Sequence, residues 1–179
     1  MSATERSARV AQATRRSIMG GAVLIASLGA ATARAAPEAM AVKPGGPETR
    51  SRTSLHQEAA FKSAPARLYA ALLSSKDFTA FSGLPATIDP AAGGAFSLFG
   101  GQIVGRNIEL VPDRRIVQAW RAVADFPAGV YSLVKFELLP KAGGTSLVLD
   151  HTGFPPGHYD HLNAGWAPHY WAPLKKFLG

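Results

Sequence analysis

Four histidines, His151, His158, His161 and His169, fall within nineteen residues near the end of the chain, together with Asp150 and Asp160. Imidazoles and carboxylates this close in sequence are the raw material of a zinc site, which takes three or four ligands converging on one point. His158 and His161 stand at i and i+3, a spacing that would put both rings on one helix face. Pro155, Pro156 and Gly157 come directly before them and interrupt the helical start that the pairing needs. The expectation is therefore surface histidines and no metal. Asp150 and His151 are adjacent in a stretch that reads as strand, so their side chains point to opposite faces and cannot pair as acid and base. Alternation sets Glu137 beside Lys135 on a wet face, and Glu109 on the same side as Asn107. The chain has no cysteine, which excludes a disulfide framework, a thiolate metal site and a cysteine nucleophile. It has no Gly-x-Ser-x-Gly elbow. The pairs Gly93-Gly94, Gly100-Gly101 and Gly143-Gly144 lack the Lys-Ser/Thr that completes a phosphate loop. No catalytic residue and no cofactor is assigned.

The chemistry that remains is binding. Phe96, Phe99, Trp120, Phe136, Trp166, Tyr170 and Trp171 could line an apolar cavity, and Phe96, Trp120, Trp166 and Tyr170 are the candidate ligand-binding residues. Large rings with a few polar tips line ligand pockets, and the same rings fill cores.

These residues need elements to hold them. Leu55, Gln57, Ala59 and Phe61 alternate with His56, Glu58, Ala60 and Lys62, which predicts a half-buried strand. Ser63 is the expected N-cap of a helix over 65–73, with Leu68, Leu72 and Leu73 at helical spacing. A second short helix carries Phe78 and Phe81 and stops at Gly83. From 86 to 152 the pattern is a meander: Phe96–Phe99, Ile103–Val111, Arg115–Arg121, Val130–Leu139 and Thr145–Thr152, joined by short Gly- and Pro-containing turns. Short connections favour antiparallel pairing. Leu162, Trp166, Tyr170, Leu174 and Leu178 recur at steps of four and make one apolar stripe. Pro168 and Pro173 interrupt it, so the terminal helix should be kinked or restart at Pro168. The fold class is α+β: a curved antiparallel sheet of about six strands wrapped around a long C-terminal helix, with two short helices after the first strand.

The start of the chain reads as an address. Thr14-Arg15-Arg16-Ser17 precedes an apolar, small-residue run from Gly20 to Ala33, and Ala33-Arg34-Ala35 offers the small-x-small pattern of a cleavage site. The tandem Arg15 and Arg16 make it resemble a twin-arginine export signal, which carries folded cargo to the periplasm or beyond. The run is shorter than the roughly 20 residues that span a bilayer, so a cleaved signal is expected and no membrane attachment after it. The organisation is thus a signal over 1–36, a Pro- and Gly-rich linker over 37–52, and one domain over 53–179. The net charge is +7. Fourteen basic and eleven acidic residues follow position 36, which is an ordinary surface and not the basic stripe of a nucleic-acid binder.

Gly93-Gly94-Ala95-Phe96, the run Glu109 to Arg121, Gly143-Gly144-Thr145-Ser146-Leu147, Thr152-Gly153-Phe154-Pro155 and Gly165-Trp166 through Tyr170 to Lys176 together resemble the domain first described as the C-terminal half of the activator of the Hsp90 ATPase. That family belongs to the START-like, helix-grip superfamily called SRPBCC. The resemblance covers Thr53 to Gly179 and implies a sheet gripping a terminal helix with a cavity between them. It does not imply one function, because the relatives include chaperone activators, ligand carriers and polyketide cyclases. The leading expectation is an exported, non-catalytic domain that binds a small apolar molecule. The alternatives are a cyclase- or dehydratase-like enzyme using the same cavity, and a protein-binding co-chaperone-like module. Export sets the chaperone reading against the address, since an exported chain meets neither the cytosolic chaperone nor ATP.

Overall fold

The computed structural model describes residues 46–179. The elements that carry the export reading, Arg15, Arg16, Ala33 and Ala35, lie outside the described residues. A short helix, α1 (Pro47–Ser51), occupies the last part of the segment read as linker, and the Gly157 N–H donates to the Arg50 carbonyl at 2.9 Å.

The first strand, β1 (Ser54–Phe61), buries Leu55, Ala59 and Phe61 on one face. Helix α2 (Pro65–Leu73) follows, buried through Leu68, Ala71, Leu72 and Leu73. Its N-cap is Ala64 and not Ser63, whose hydroxyl reaches across to the Leu178 carbonyl at 3.2 Å. Pro65 opens the helix without needing a cap, because its missing N–H is one of the four a helix start leaves unpaired. Ser74 ends α2 and caps α3 (Ser75–Ser82), accepting from the Asp77 N–H at 3.2 Å. Gly83 closes α3 at φ 73°, a left-handed conformation that glycine adopts without steric cost.

The remaining strands are β2 (Thr87–Ile88), β3 (Ala95–Leu98), β4 (Ile103–Val111), β5 (Arg115–Ala122), β6 (Ser132–Lys141) and β7 (Gly144–Thr152). The sheet has seven strands in the order β1-β7-β6-β5-β4-β3-β2, every pair antiparallel. The strand beyond the expected six is β2, two residues long and too short to show any alternation. The meander is built from neighbours in sequence, and β1 joins its far edge beside β7.

The terminal helix starts as α4 (Tyr159–Trp166), passes through a π-helical turn over Ala167–Trp171, and continues as α5 (Ala172–Leu178). The Ala172 N–H donates to the Ala167 carbonyl, five residues back. Pro168, which lacks an N–H, sits at the start of this turn, so the expected break takes the form of one wider turn and the chain stays helical. Trp166, Tyr170 and Leu174 of the stripe are buried, and Leu162 and Leu178 are half-buried.

Gln57 fastens the helix to the sheet. Its amide donates to the carbonyl and side chain of Asn163, both at 2.8 Å, and its oxygen accepts from the Trp171 indole at 2.8 Å. One half-buried polar side chain thereby ties β1 to α4 before the π turn and to the last residue of the turn itself.

Gly105 on β4 marks a close approach. A Cβ there would lie 1.9 Å from the Ala119 carbonyl and 2.4 Å from the Phe96 ring. Gly105→Ala is expected to destabilise the domain by about 1–3 kcal/mol, since a backbone carbonyl cannot rotate away as a side chain can. Denaturant unfolding of the variant checks this, and an unchanged midpoint would contradict the packing described.

The outer face of the sheet carries an alternating row of charges. His56 meets Asp150 at 2.7 Å, Asp150 meets Lys135 at 2.9 Å, Lys135 meets Glu137 at 3.7 Å, Glu137 meets Arg115 at 3.8 Å, and Arg115 meets Glu109 at 3.1 Å. The His56 hydrogen bond holds the Asp150 carboxyl below its ordinary value, and the Asp150 bond raises both His56 and Lys135. Glu137 is on the wet side beside Lys135, as alternation requires. Glu109 is there too, and this corrects its expected place beside Asn107. The pairing with β5 slips between Asn107 and Glu109, so Ile108 is a bulged residue and the two flanking side chains leave opposite faces.

Candidate functional site

Three parts of the chain enclose an apolar cleft of about 640 Å³. The β3–β4 turn and the start of β4 contribute Phe99 to Ile103, the end of β5 and the residues after it contribute Ala122 to Asp125, and the terminal helix contributes Leu162, Gly165, Trp166 and Tyr170. Trp120 and Leu84 complete the apolar wall, and Gln102, Asp125, His161 and His169 are its polar members.

Trp120, Trp166 and Tyr170 come together as the sequence suggested. The Trp120 and Trp166 rings stack at 5.1 Å with 28° between planes, and Tyr170 lies 4.7 Å from Trp166 and 5.9 Å from Trp120. Phe96 does not line the cleft. It covers Gly105 and meets Trp120 edge-on at 6.5 Å, supporting the wall from behind. Phe99, one of the wider set of aromatics that could line a cavity, does stand in the wall, 5.4 Å from Tyr170. Its φ is 53°, so the strand expected through Phe99 ends at Leu98. A bulky residue at positive φ is costly, and here it swings the β3–β4 turn over the cleft.

The orientation of Trp120 is fixed by a buried chain of amides. The indole N–H donates to Gln118 Oε1 at 2.9 Å, Gln118 Nε2 donates to Asn107 Oδ1 at 2.9 Å, and Asn107 Nδ2 donates to the Asp89 carbonyl at 2.8 Å. Every member has a partner, which is the condition for a buried polar network to specify one geometry.

Behind the two tryptophans lies His151, fully buried, with its ring 5.9 Å from Trp120, 5.8 Å from Trp166 and 5.1 Å from Phe154. Ser132 Oγ donates to the Trp120 carbonyl at 3.3 Å, so it accepts at 2.7 Å from His151 Nε2–H. His151 Nδ1 is buried without a partner among the described residues, and burial pushes the imidazole down to about 3. The pair is sealed away from the cleft and has no carboxylate behind it. Asp150 points to the outer face, as strand alternation requires.

Burial raises the Tyr170 phenol well above its ordinary value and keeps it protonated. Its hydroxyl makes no hydrogen bond among the described residues, which leaves it free to donate to or accept from a molecule in the cleft. His158 precedes α4, and His161 is a surface side chain 4.0 Å from Asp125. Among the described residues no three His, Asp or Glu side chains are grouped to hold a metal ion. No described helix is long and apolar enough to cross a membrane.

A second hollow, about 800 Å³, lies on the outer face and includes Arg52, His56, Lys135, Asp150 and Tyr159. Its charges are committed to one another, and Arg52 sits over the Tyr159 ring at 5.1 Å. The inner cleft is the better candidate site because its wall is apolar and its polar groups are few.

Asp125, His161 and His169 were missed as rim residues. His161, Gly165 and His169 repeat at steps of four one residue before the apolar stripe, so a second stripe was present beside the first.

The model of the family described as "Activator of Hsp90 ATPase homolog 1-like protein" matches residues 62–179. The human activator of 90 kDa heat shock protein ATPase homolog 1 is 29% identical over 119 residues, which cover 66% of this chain and 35% of the human protein. The chain thus spans about a third of that relative's length. The crystal structure of an HSP90 activator from Plasmodium falciparum is similar at 28% identity and a TM-score of 0.67, covering 72% of this chain and 97% of that one. The crystal structure of CalU16 from Micromonospora echinospora shares the fold at 20% identity and a TM-score of 0.61, covering 70% of this chain and 76% of its own.

Proposed function

We propose, from the premise that the chain belongs to the activator of Hsp90 ATPase homolog 1-like family, that it is an exported binding domain holding a small apolar molecule between the sheet and the terminal helix. The observation that carries the reading is the cleft of about 640 Å³ walled by Trp120, Trp166, Tyr170 and Phe99. A space of that size, apolar on its sides with an uncommitted phenol inside, suits a molecule of a few hundred daltons. The export part rests on Arg15 and Arg16 ahead of the small-residue run, and on Ala33-Arg34-Ala35. Nucleic acid is not a partner in this reading.

Native mass spectrometry of the chain isolated gently from its own host tests both parts. The expected result is a chain beginning at Ala36, carrying an added mass of a few hundred daltons that disappears on denaturation. A processed chain with no added mass would remove the ligand, and an unprocessed chain would remove the export.

A second reading, a chaperone-binding module, is supported by the human and Plasmodium falciparum relatives, which are named as activators of the 90 kDa heat shock protein or its ATPase. An unprocessed chain, recovered from the cytoplasm and empty of small molecules, would favour it.

A further inference from the structure

The three tryptophans of the chain differ in their hydrogen bonding, and the difference bears on what the cleft can hold, an inference that rests on the binding reading above. The Trp120 indole N–H is committed to Gln118 at 2.9 Å, and that of Trp171 to Gln57 at 2.8 Å. The Trp166 indole N–H has no partner among the described residues, and neither has the Tyr170 hydroxyl four residues further along the helix. Both side chains are buried, yet neither group is sealed in as His151 Nδ1 is, and both residues line the cleft. Their rings stand 4.7 Å apart. Gln102, Asp125, His161 and His169 also line the cleft, but all four are exposed at its mouth, where water serves them. The interior wall thus presents two uncommitted donors, one of which, the indole, can only donate.

We propose that the cleft selects an otherwise apolar molecule that bears a carbonyl oxygen, a ketone, ester or amide, held by the Trp166 N–H and the Tyr170 O–H. A plain hydrocarbon filling this space would displace water from both donors and leave each of them buried and unpaired. A carbonyl oxygen carries two lone pairs and no proton, so it can accept from both. A ligand that offers only donors leaves the indole unsatisfied.

The test titrates the full chain, isotope-labelled for nuclear magnetic resonance, with cyclooctanone and with cyclooctane, each below its solubility limit. The two probes differ by a carbonyl in place of a methylene. The expected result is that cyclooctanone, although better hydrated in water, binds at least as tightly as cyclooctane. It should also move the Trp166 indole N–H resonance downfield, where cyclooctane does not. Tyr170→Phe keeps the ring and removes its donor, and should lower the affinity for cyclooctanone relative to cyclooctane by about threefold to tenfold. Cyclooctane binding about tenfold or more tightly than the ketone, or shifting the Trp166 resonance in the same way, overturns the inference and leaves the binding reading standing. An affinity ratio that Tyr170→Phe leaves as it was also overturns it, since the phenol then gives the carbonyl nothing. Binding of neither probe removes the binding reading and the inference with it.

Discussion

Trp166→Ala should lower the unfolding free energy by about 3–5 kcal/mol, a large part of the roughly 5–15 kcal/mol that holds a typical domain. Trp166 is 3% exposed and stands at the centre of the ring cluster. It stacks on Trp120 at 5.1 Å and Trp171 at 5.4 Å, and touches Phe136 at 5.8 Å, His151 at 5.8 Å and Tyr170 at 4.7 Å. Truncation removes the contacts of the whole indole at once and leaves a void between sheet and helix. Collapse into that void is opposed by Gln57, which holds Asn163 and Trp171 on either side of it. Trp166→Phe keeps a ring in place and should cost less than half as much. Equilibrium denaturant unfolding gives both numbers. A Trp166→Ala midpoint close to the parent's would mean that the helix is not gripped as described.

The second large effect is a loss of stability in acid that originates at His151. Its environment is Trp120, Trp166, Phe154 and Ser132, with Leu55 and Val134 beside it on the neighbouring strands, and none of these carries a charge. A proton added to Nδ1 would create a buried cation with no acceptor. The folded imidazole therefore titrates at about 3, against 6.5 for the free group. Between those values the unfolded chain binds the proton and the folded chain does not. Stability is complete above pH 6.5 and is lost as the pH falls, by at most about 1.4 kcal/mol per pH unit and roughly 4–5 kcal/mol in all. His56 acts in the opposite direction, since its raised value favours the folded state as pH falls; it is fully exposed and its effect is small. Asp150, held below 3.8, loses its contribution only at still lower pH. His151→Leu removes the titrating group while Ser132 keeps its bond to the Trp120 carbonyl. Unfolding curves between pH 7 and pH 4 should slope steeply for the parent and be nearly flat for this variant. Equal slopes would place the acid sensitivity elsewhere.

Much of this was legible in the residues. The boundaries of α2 and β4, the stop at Gly83 and the opposite faces of Asp150 and His151 follow from local rules: helical spacing, left-handed glycine and strand alternation. Three features were not legible, each for a physical reason. The bulge at Ile108 depends on how β4 meets β5, and alternation within β4 carries no trace of the slip. The left-handed Phe99 opposes its own intrinsic preference, so it can persist only because surrounding packing holds it. The π turn satisfies Pro168 in a third way, beyond the kink and the restart that a proline suggests. At the site, Trp120, Trp166 and Tyr170 were readable because large rings at regular spacing face a core. The exclusion of Phe96 turned on Gly105, whose missing side chain lets that ring lie down against β4.

The place of β1 bears on when this protein can fold. Its hydrogen-bonded neighbour in the sheet is β7, and the residues Ser54 and Thr152 that open the ladder are separated by nearly the whole domain. Closing so long a loop precedes any reward from the contacts it makes. During synthesis the meander from β2 to β6 can pair as it emerges, but β1, α2 and α3 must wait for β7 and for Trp166, Tyr170 and Leu174. The first strand therefore stays without its partner until β7 has been made, and the helix that follows β7 is the element that then fastens it through Gln57.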